Sequence, residues 1–124
     1  MTPDYVALVK RMLAAVESND IEGYLGFFAP DAEYVIGNSG PVTGTDAIRA
    51  AAANSVQNVQ SVTQEVHNMF APGDGVVIFD SDVTYARKDG KTIRIPSLAI
   101  VHFRGDRVQR YQAYIDLSPV SAPS

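Results

Sequence analysis

Asp80 and Asp82 stand one residue apart in the run VIFDSDVTY, residues 77–85. Aspartate is depleted in strands because its short side chain bonds nearby backbone, so a pair at period two among apolar neighbours calls for a reason. On one face of a strand the two carboxylates would lie roughly 6–7 Å apart. In an apolar pocket at that spacing one carboxyl keeps its proton while the other stays ionised, which supplies an acid and a base. Such a division suits enolisation of a carbonyl, an aldol-type ring closure or addition of water. None of these needs a metal or a redox cofactor, and none is expected. The alternative is a solvated strand face on which the two acids offset Arg94 or Lys91.

Other residue types narrow the chemistry. The chain has no cysteine, which excludes disulfides, thiolate metal sites and a thiol nucleophile. His67 and His102 occur singly on strand-like runs and lack the close acidic spacing of a metal site, so metal is not expected. Ser97 has no histidine placed to activate it, which speaks against an acyl-enzyme. The glycines of GNSGPVTG follow loop geometry and not a phosphate-binding spacing. A net charge of −4 disfavours nucleic acid and anionic membrane as partners and leaves a small neutral or cationic ligand. The start MTPDYVALVKRM has an early acid and no long apolar run, so neither a secretory signal nor a membrane span is read there and a cytoplasmic location is expected.

The elements that must position these groups fit one domain of 124 residues. Thr2-Pro3-Asp4 starts a helix, with Thr2 as the capping hydroxyl, and Val6, Val9, Met12, Leu13 and Val16 follow helical spacing. Asn19 and Glu22 resemble a capping box for a short second helix carrying Ile21, Tyr24, Leu25 and Phe28, stopped by Ala29-Pro30-Asp31. AEYVI, residues 32–36, reads as a short strand. Thr45 caps an Ala-rich third helix to about Gln57. From Val59 the period changes to two, in the runs QSVTQEVHNMF, VVIFDSDVTYA, KTIRIPSLAIVHF and RVQRYQAYIDL, broken by APGDG, RKDGK and RGDR. Three helices followed by four long antiparallel strands make an α+β plan with helices on one face of a curved sheet. Pro96 implies a bulge or an edge in the third long run. SPVSAPS reads as a loose end, so the domain spans 1–118 with a tail at 119–124.

NDIEGYLGFFAPDAEYV, GPVTGTDAIRA and RVQRYQAYIDLSPV, in this order of elements, resemble the nuclear transport factor 2-like superfold, in particular its ketosteroid isomerase and SnoaL-like polyketide cyclase branches. The resemblance covers nearly the whole chain. It implies a cone-shaped barrel, a mainly antiparallel curved sheet wrapped around three N-terminal helices and enclosing a cavity for a hydrophobic small molecule. The isomerase positions fall on Met12, Ile36 and Ala99, which carry no polar group. The more distant limonene epoxide hydrolase pattern falls on Tyr34, Ile36, Asp80, Asp82 and Ala113, and keeps the tyrosine and an aspartate. The cyclase pair falls on Ala99 and Ala113, unless a shifted register lets His102 and Asp116 take over.

The resemblance also assigns strand faces. It puts Ile78, Asp80, Asp82 and Thr84 on the cavity side and Val77, Phe79, Val83 and Tyr85 on the opposite side, against a second subunit; a homodimer through the outer sheet face is expected. Ile95, Ser97, Ala99, Val101, Tyr111, Ala113 and Ile115 share the cavity. The catalytic set is then Asp82 and Asp80, with Tyr34 as hydrogen-bond donor to a developing oxyanion, and the substrate wall is Met12, Phe27, Ile36, Ile95, Ser97, Ala99, Ala113 and Ile115. The expected function is a cofactor-independent isomerase or cyclase acting by carboxylate acid/base chemistry on a steroid- or polyketide-like substrate. The alternatives are a binding protein without catalysis and an epoxide hydrolase or dehydratase-like enzyme.

Overall fold

The computed structural model describes residues 3–121. Helix α1 (Tyr5–Glu17) begins at Asp4, whose side chain accepts the Ala7 N–H at 3.1 Å, so the cap is this aspartate; the hydroxyl of Thr2 lies outside the described residues. Its stripe Val9, Met12 and Leu13 is buried. Asp20, not Asn19, caps the five-residue α2 (Ile21–Leu25) by accepting the Gly23 N–H at 2.9 Å. Glu22 instead turns to Arg49 of α3 (Thr45–Ser55), at 2.9 and 3.0 Å. Gly44 occupies the cap position of α3 at φ 92°, and Thr45 is its first residue.

Ala29-Pro30-Asp31 does not end a helix. It belongs to strand β1 (Phe28–Ile36), which starts four residues earlier than the AEYVI pattern shows because Pro30 and Asp31 interrupt the alternation. Short β2 (Val42–Thr43) pairs with it. The four long strands are β3 (Val59–Gly73), β4 (Val76–Arg87), β5 (Thr92–Arg104) and β6 (Arg107–Ile115). They form a six-stranded sheet in the order β2-β1-β6-β5-β4-β3, antiparallel throughout except where β1 runs parallel to β6. The sheet is open at β2 and β3, so the cone is a curved wall and not a closed barrel. Pairing between β5 and β6 stops at Ser97↔Ile115, one residue short of Pro96, so the proline sits where β5 is locally an edge. The segment expected as a tail begins with a helical turn, α4 (Ser118–Ser121), whose Val120 is buried against Val59, Val83, Tyr85 and Ile95.

The helices cover one face of the sheet, and β4 decides which face that is. Val77, Phe79, Ser81, Val83 and Tyr85 are buried, with Val77 and Phe79 in one cluster with Met12, Leu13, Ile48 and Val101. The strand faces expected for β4 are therefore reversed: the apolar set faces the helices and the cavity, while Ile78, Asp80, Asp82 and Thr84 face outward. The physical reason is burial. Removing four large apolar side chains from water contributes more than any arrangement that buries two aspartates in their place. No helix of the described residues is long and apolar enough to cross a membrane.

Candidate functional site

The inner face of the sheet, α1, α2 and α3 bound a cavity of about 210 Å³ that opens to solvent beside the end of α1. Four tyrosines line it: Tyr24 from α2, Tyr34 from β1, Tyr85 from β4 and Tyr111 from β6. Each reaches the cavity because the strand register points it there. Tyr34 is paired with Tyr111 across the parallel β1–β6 contact, and their rings stack with centroids 5.4 Å apart at 28°. Phe28 packs edge-on against Tyr24 and Tyr34, which holds the aromatic floor. The hydroxyls of Tyr24 and Tyr34 share a hydrogen bond of 3.1 Å. Tyr85 and Tyr111 are only 8 % and 7 % exposed, yet among the described residues their hydroxyls make no hydrogen bond.

Burial sets the protonation of this group. Desolvation penalises the phenolate and raises all four tyrosines above their ordinary value, Tyr24 and Tyr111 strongly and Tyr85 to about 12. Neighbouring tyrosines add to the effect at Tyr24, Tyr85 and Tyr111. The tyrosines are therefore neutral hydrogen-bond donors across the physiological range. They can polarise a carbonyl and stabilise an enolate oxygen, and they cannot serve as bases. The ionisable acids in the lining are Glu17 and Asp20, both exposed at the mouth.

Of the catalytic residues read from the sequence, the structure brings Tyr34 to the cavity and leaves Asp80 and Asp82 on the other side of the sheet. Asp82 belongs to an outer cluster, where its Oδ2 accepts hydrogen bonds from His67 Nε2 at 2.9 Å and from an Arg94 N–H at 3.0 Å. A bulge between Val66 and Asn68 places His67 within reach. Glu65 completes the cluster, 3.4 Å from Arg94. The His67 bond, then the Arg94 bond, hold Asp82 below the usual carboxylate range, and Asp82 in turn raises His67. Asp82 is thus ionised in a salt-linked group, not half of a proton-sharing pair. Asp80 is half-buried beside Asn68 and Leu98, with its Oδ1 sealed from water and without a hydrogen-bond partner among the described residues.

Of the expected substrate wall, Ile36, Ser97, Ala113 and Ile115 line the cavity. Met12 and Ala99 do not, being buried in the main core, and Ile95 packs in the smaller cluster around Val120. Phe27 is half-buried under the Arg11 guanidinium, 5.8 Å from its ring centroid. His102 is exposed and pairs with Arg110 across β5–β6, so no shifted register turns it inward; Asp116 is exposed too and caps Ser118 at 3.0 Å. The residues that sequence reading missed are Tyr24, Tyr85 and Tyr111. Tyr111 was placed on the cavity side without a role, Tyr85 on the wrong side, and Tyr24 on the apolar stripe of the second helix.

A family model for the SnoaL-like domain matches residues 9–111. The chain belongs to the SnoaL-like domain family. Solved structures of the same fold agree with this SnoaL-like assignment. A nuclear transport factor 2-like protein from Burkholderia pseudomallei superposes with a TM-score of 0.84 at 13 % identity, over 96 % of this chain and 95 % of that one. A protein assigned as a SnoaL-like polyketide cyclase from a Jannaschia species gives 0.83 at 18 %, over 97 % and 93 %. A ketosteroid isomerase-like fold protein from Catenulispora acidiphila, in complex with trimethylamine, gives 0.80 at 22 %, over 95 % and 89 %. At these identities the SnoaL-like domain shares a fold with them.

Proposed function

We propose that this SnoaL-like domain binds a compact oxygenated molecule in its tyrosine-lined cavity and polarises its carbonyl oxygen by hydrogen bonds. The observation that carries this reading is the pair of unpartnered hydroxyls on the largely buried side chains of Tyr85 and Tyr111, in the cavity beside the bonded Tyr24–Tyr34 pair. Four phenols around one space, two of them without a protein partner, are the arrangement a polar ligand would complete. The volume of about 210 Å³ is below the range of roughly 300–1,000 Å³ for drug-sized ligands, which favours one or two rings over a tetracyclic steroid. An isomerase- or cyclase-type step would use the tyrosines as donors to the developing enolate, with Glu17 or Asp20 as the nearest acceptors for a proton. The carboxylate chemistry of Asp80 and Asp82 is not part of this proposal.

Acetophenone bound to the protein tests the reading by calorimetry and by its carbonyl stretching band. Saturable binding with a band shifted to lower frequency, and loss of that shift in Tyr34→Phe, is the expected result. Absence of binding, or a band indifferent to Tyr34→Phe and Tyr111→Phe, would overturn it.

A second copy of the chain is proposed to cover the outer sheet face, where Leu98 and Tyr114 are 40 % and 52 % exposed among the half-buried Ile78 and Ile100. Sedimentation of the wild type against Leu98→Asp reads this directly, with a shift to monomer expected.

A further inference from the structure

The mouth of the cavity is electrostatically one-sided. Its lining contains Glu17 and Asp20 and no lysine, arginine or histidine. Some exposed acids meet cations, as Glu22 and Asp46 meet Arg49 and Glu65 and Asp82 meet Arg94, while Asp4, Asp31, Asp74 and Asp116 do not and face open solvent away from the cavity lining. Among the described residues Glu17 and Asp20 have no such partner.

The backbone adds to the same sign. Glu17 is the last residue of α1, where the partial negative charge of the helix end disfavours a carboxylate, and no basic residue stands in that last turn to offset it. Each acid has one structural bond: Glu17 Oε1 accepts the Gln64 backbone N–H at 3.0 Å, and Asp20 Oδ1 accepts that of Gly23 at 2.9 Å. An amide side chain could accept either bond; the charge of Asp20 also meets the positive end of α2, whereas that of Glu17 has no such compensation. Inside, Tyr85 and Tyr111, each more than nine-tenths buried, line the same cavity with unpartnered hydroxyls. The cavity therefore presents hydrogen-bond donors at its floor and negative charge without a cationic side chain at its entrance.

We propose that the ligand of this cavity carries a cationic amine at its outer end, held between Glu17 and Asp20, while its oxygen meets the tyrosine hydroxyls. This rests on the cavity reading above and names its ligand class: a small amine bearing a ketone or phenol oxygen at the opposite end. A carboxylate in the amine's place meets like charge from both acids and from the helix end, and is excluded.

Three para-substituted acetophenones of equal reach test this, carrying aminomethyl, ethyl or carboxylate groups. The carbonyl is common to all three and reports occupancy of the floor. The expected order of affinity is amine, then ethyl, then carboxylate, with the amine roughly tenfold tighter than the ethyl compound at low salt and the gap narrowing as salt rises. Asp20→Asn and Glu17→Gln keep the Gly23 and Gln64 hydrogen bonds and so spare the fold; each should cost the amine about two- to fivefold and leave the ethyl compound unchanged. Equal binding of amine and ethyl compounds, or an amine preference that survives the double variant, would overturn the proposal while leaving the cavity reading intact. Failure of all three to bind would overturn both.

Discussion

The two faces of β4 keep polarity in opposite ways, as Asp82 and Tyr85 show. Outward, Asp82 sits in partial contact with water and is satisfied by His67 and Arg94, so charge is kept where it can be solvated and paired. Inward, Tyr85 joins Tyr24, Tyr34 and Tyr111 around the cavity, and polarity is kept in groups that burial holds neutral. The difference teaches that a pocket on this fold need not hold a carboxylate to hold chemistry. A hydroxyl loses far less on burial than an ion does, so it can remain unpartnered until a ligand arrives.

The contrast is most sharply tested by removing bulk from each face. Phe79→Ala deletes a side chain that is 1 % exposed on the inner face and should cost roughly 3–5 kcal/mol in chemical denaturation. Leu98→Ala on the outer face, measured as the isolated monomer, should cost well under half of that. Alkaline titration comes next. Because the folded-state values of the inner tyrosines are raised, their stabilisation is complete below the unfolded value near pH 10 and is lost as pH rises through the folded values, about 12 for Tyr85. Phenolate absorbance from the four inner tyrosines should therefore appear together with unfolding; titration of all six tyrosines of the chain in the folded protein would break the contrast.

Tyr34→Phe should cost about 1–3 kcal/mol, because it leaves the buried Tyr24 hydroxyl without its partner. A double variant with Tyr24→Phe should recover part of that loss. The smallest effect belongs to the outer cluster. His67 is raised, so its contribution is present below about pH 6.5 and fades as pH rises through the folded value; Asp82 is lowered, so its contribution is present above about pH 4 and fades on acidification. The pair is strongest between these limits, and His67→Gln should flatten a shallow decline in stability above pH 6.5 without changing acetophenone binding.

Much of the scaffold was legible in the sequence because its signals are local. The turn strings APGDG, RKDGK and RGDR contain residues at positive φ, Asp74 and Gly75, Gly90, and Gly105, and they close hairpins where alternation breaks. Alternation itself is faithful on β5 and β6, where Ser97, Tyr111, Ala113 and Ile115 face inward as read. On β4 the resemblance overrode the pattern: Asp80 and Asp82 were matched to cavity positions of relatives, although Val77, Phe79, Val83 and Tyr85 form the stronger apolar set and only one set can face the helices. Amount of apolar surface was the better guide to parity. The tyrosine cluster had no local signal at all, since Tyr24, Tyr34, Tyr85 and Tyr111 meet only through the curvature of the sheet and the β1–β6 pairing.

That parallel pairing of β1 with β6 has a consequence in time. Tyr34 and Tyr111 are partners in the sheet although the other four strands and a helix are made between them. A chain emerging from the ribosome can fold the helices and hairpins in turn, but the ring stack at the floor of the cavity waits for the last strand to dock beside the first. Ligand capture is then a property of the completed domain alone, and truncation anywhere before β6 removes the site as a whole instead of wearing it away residue by residue.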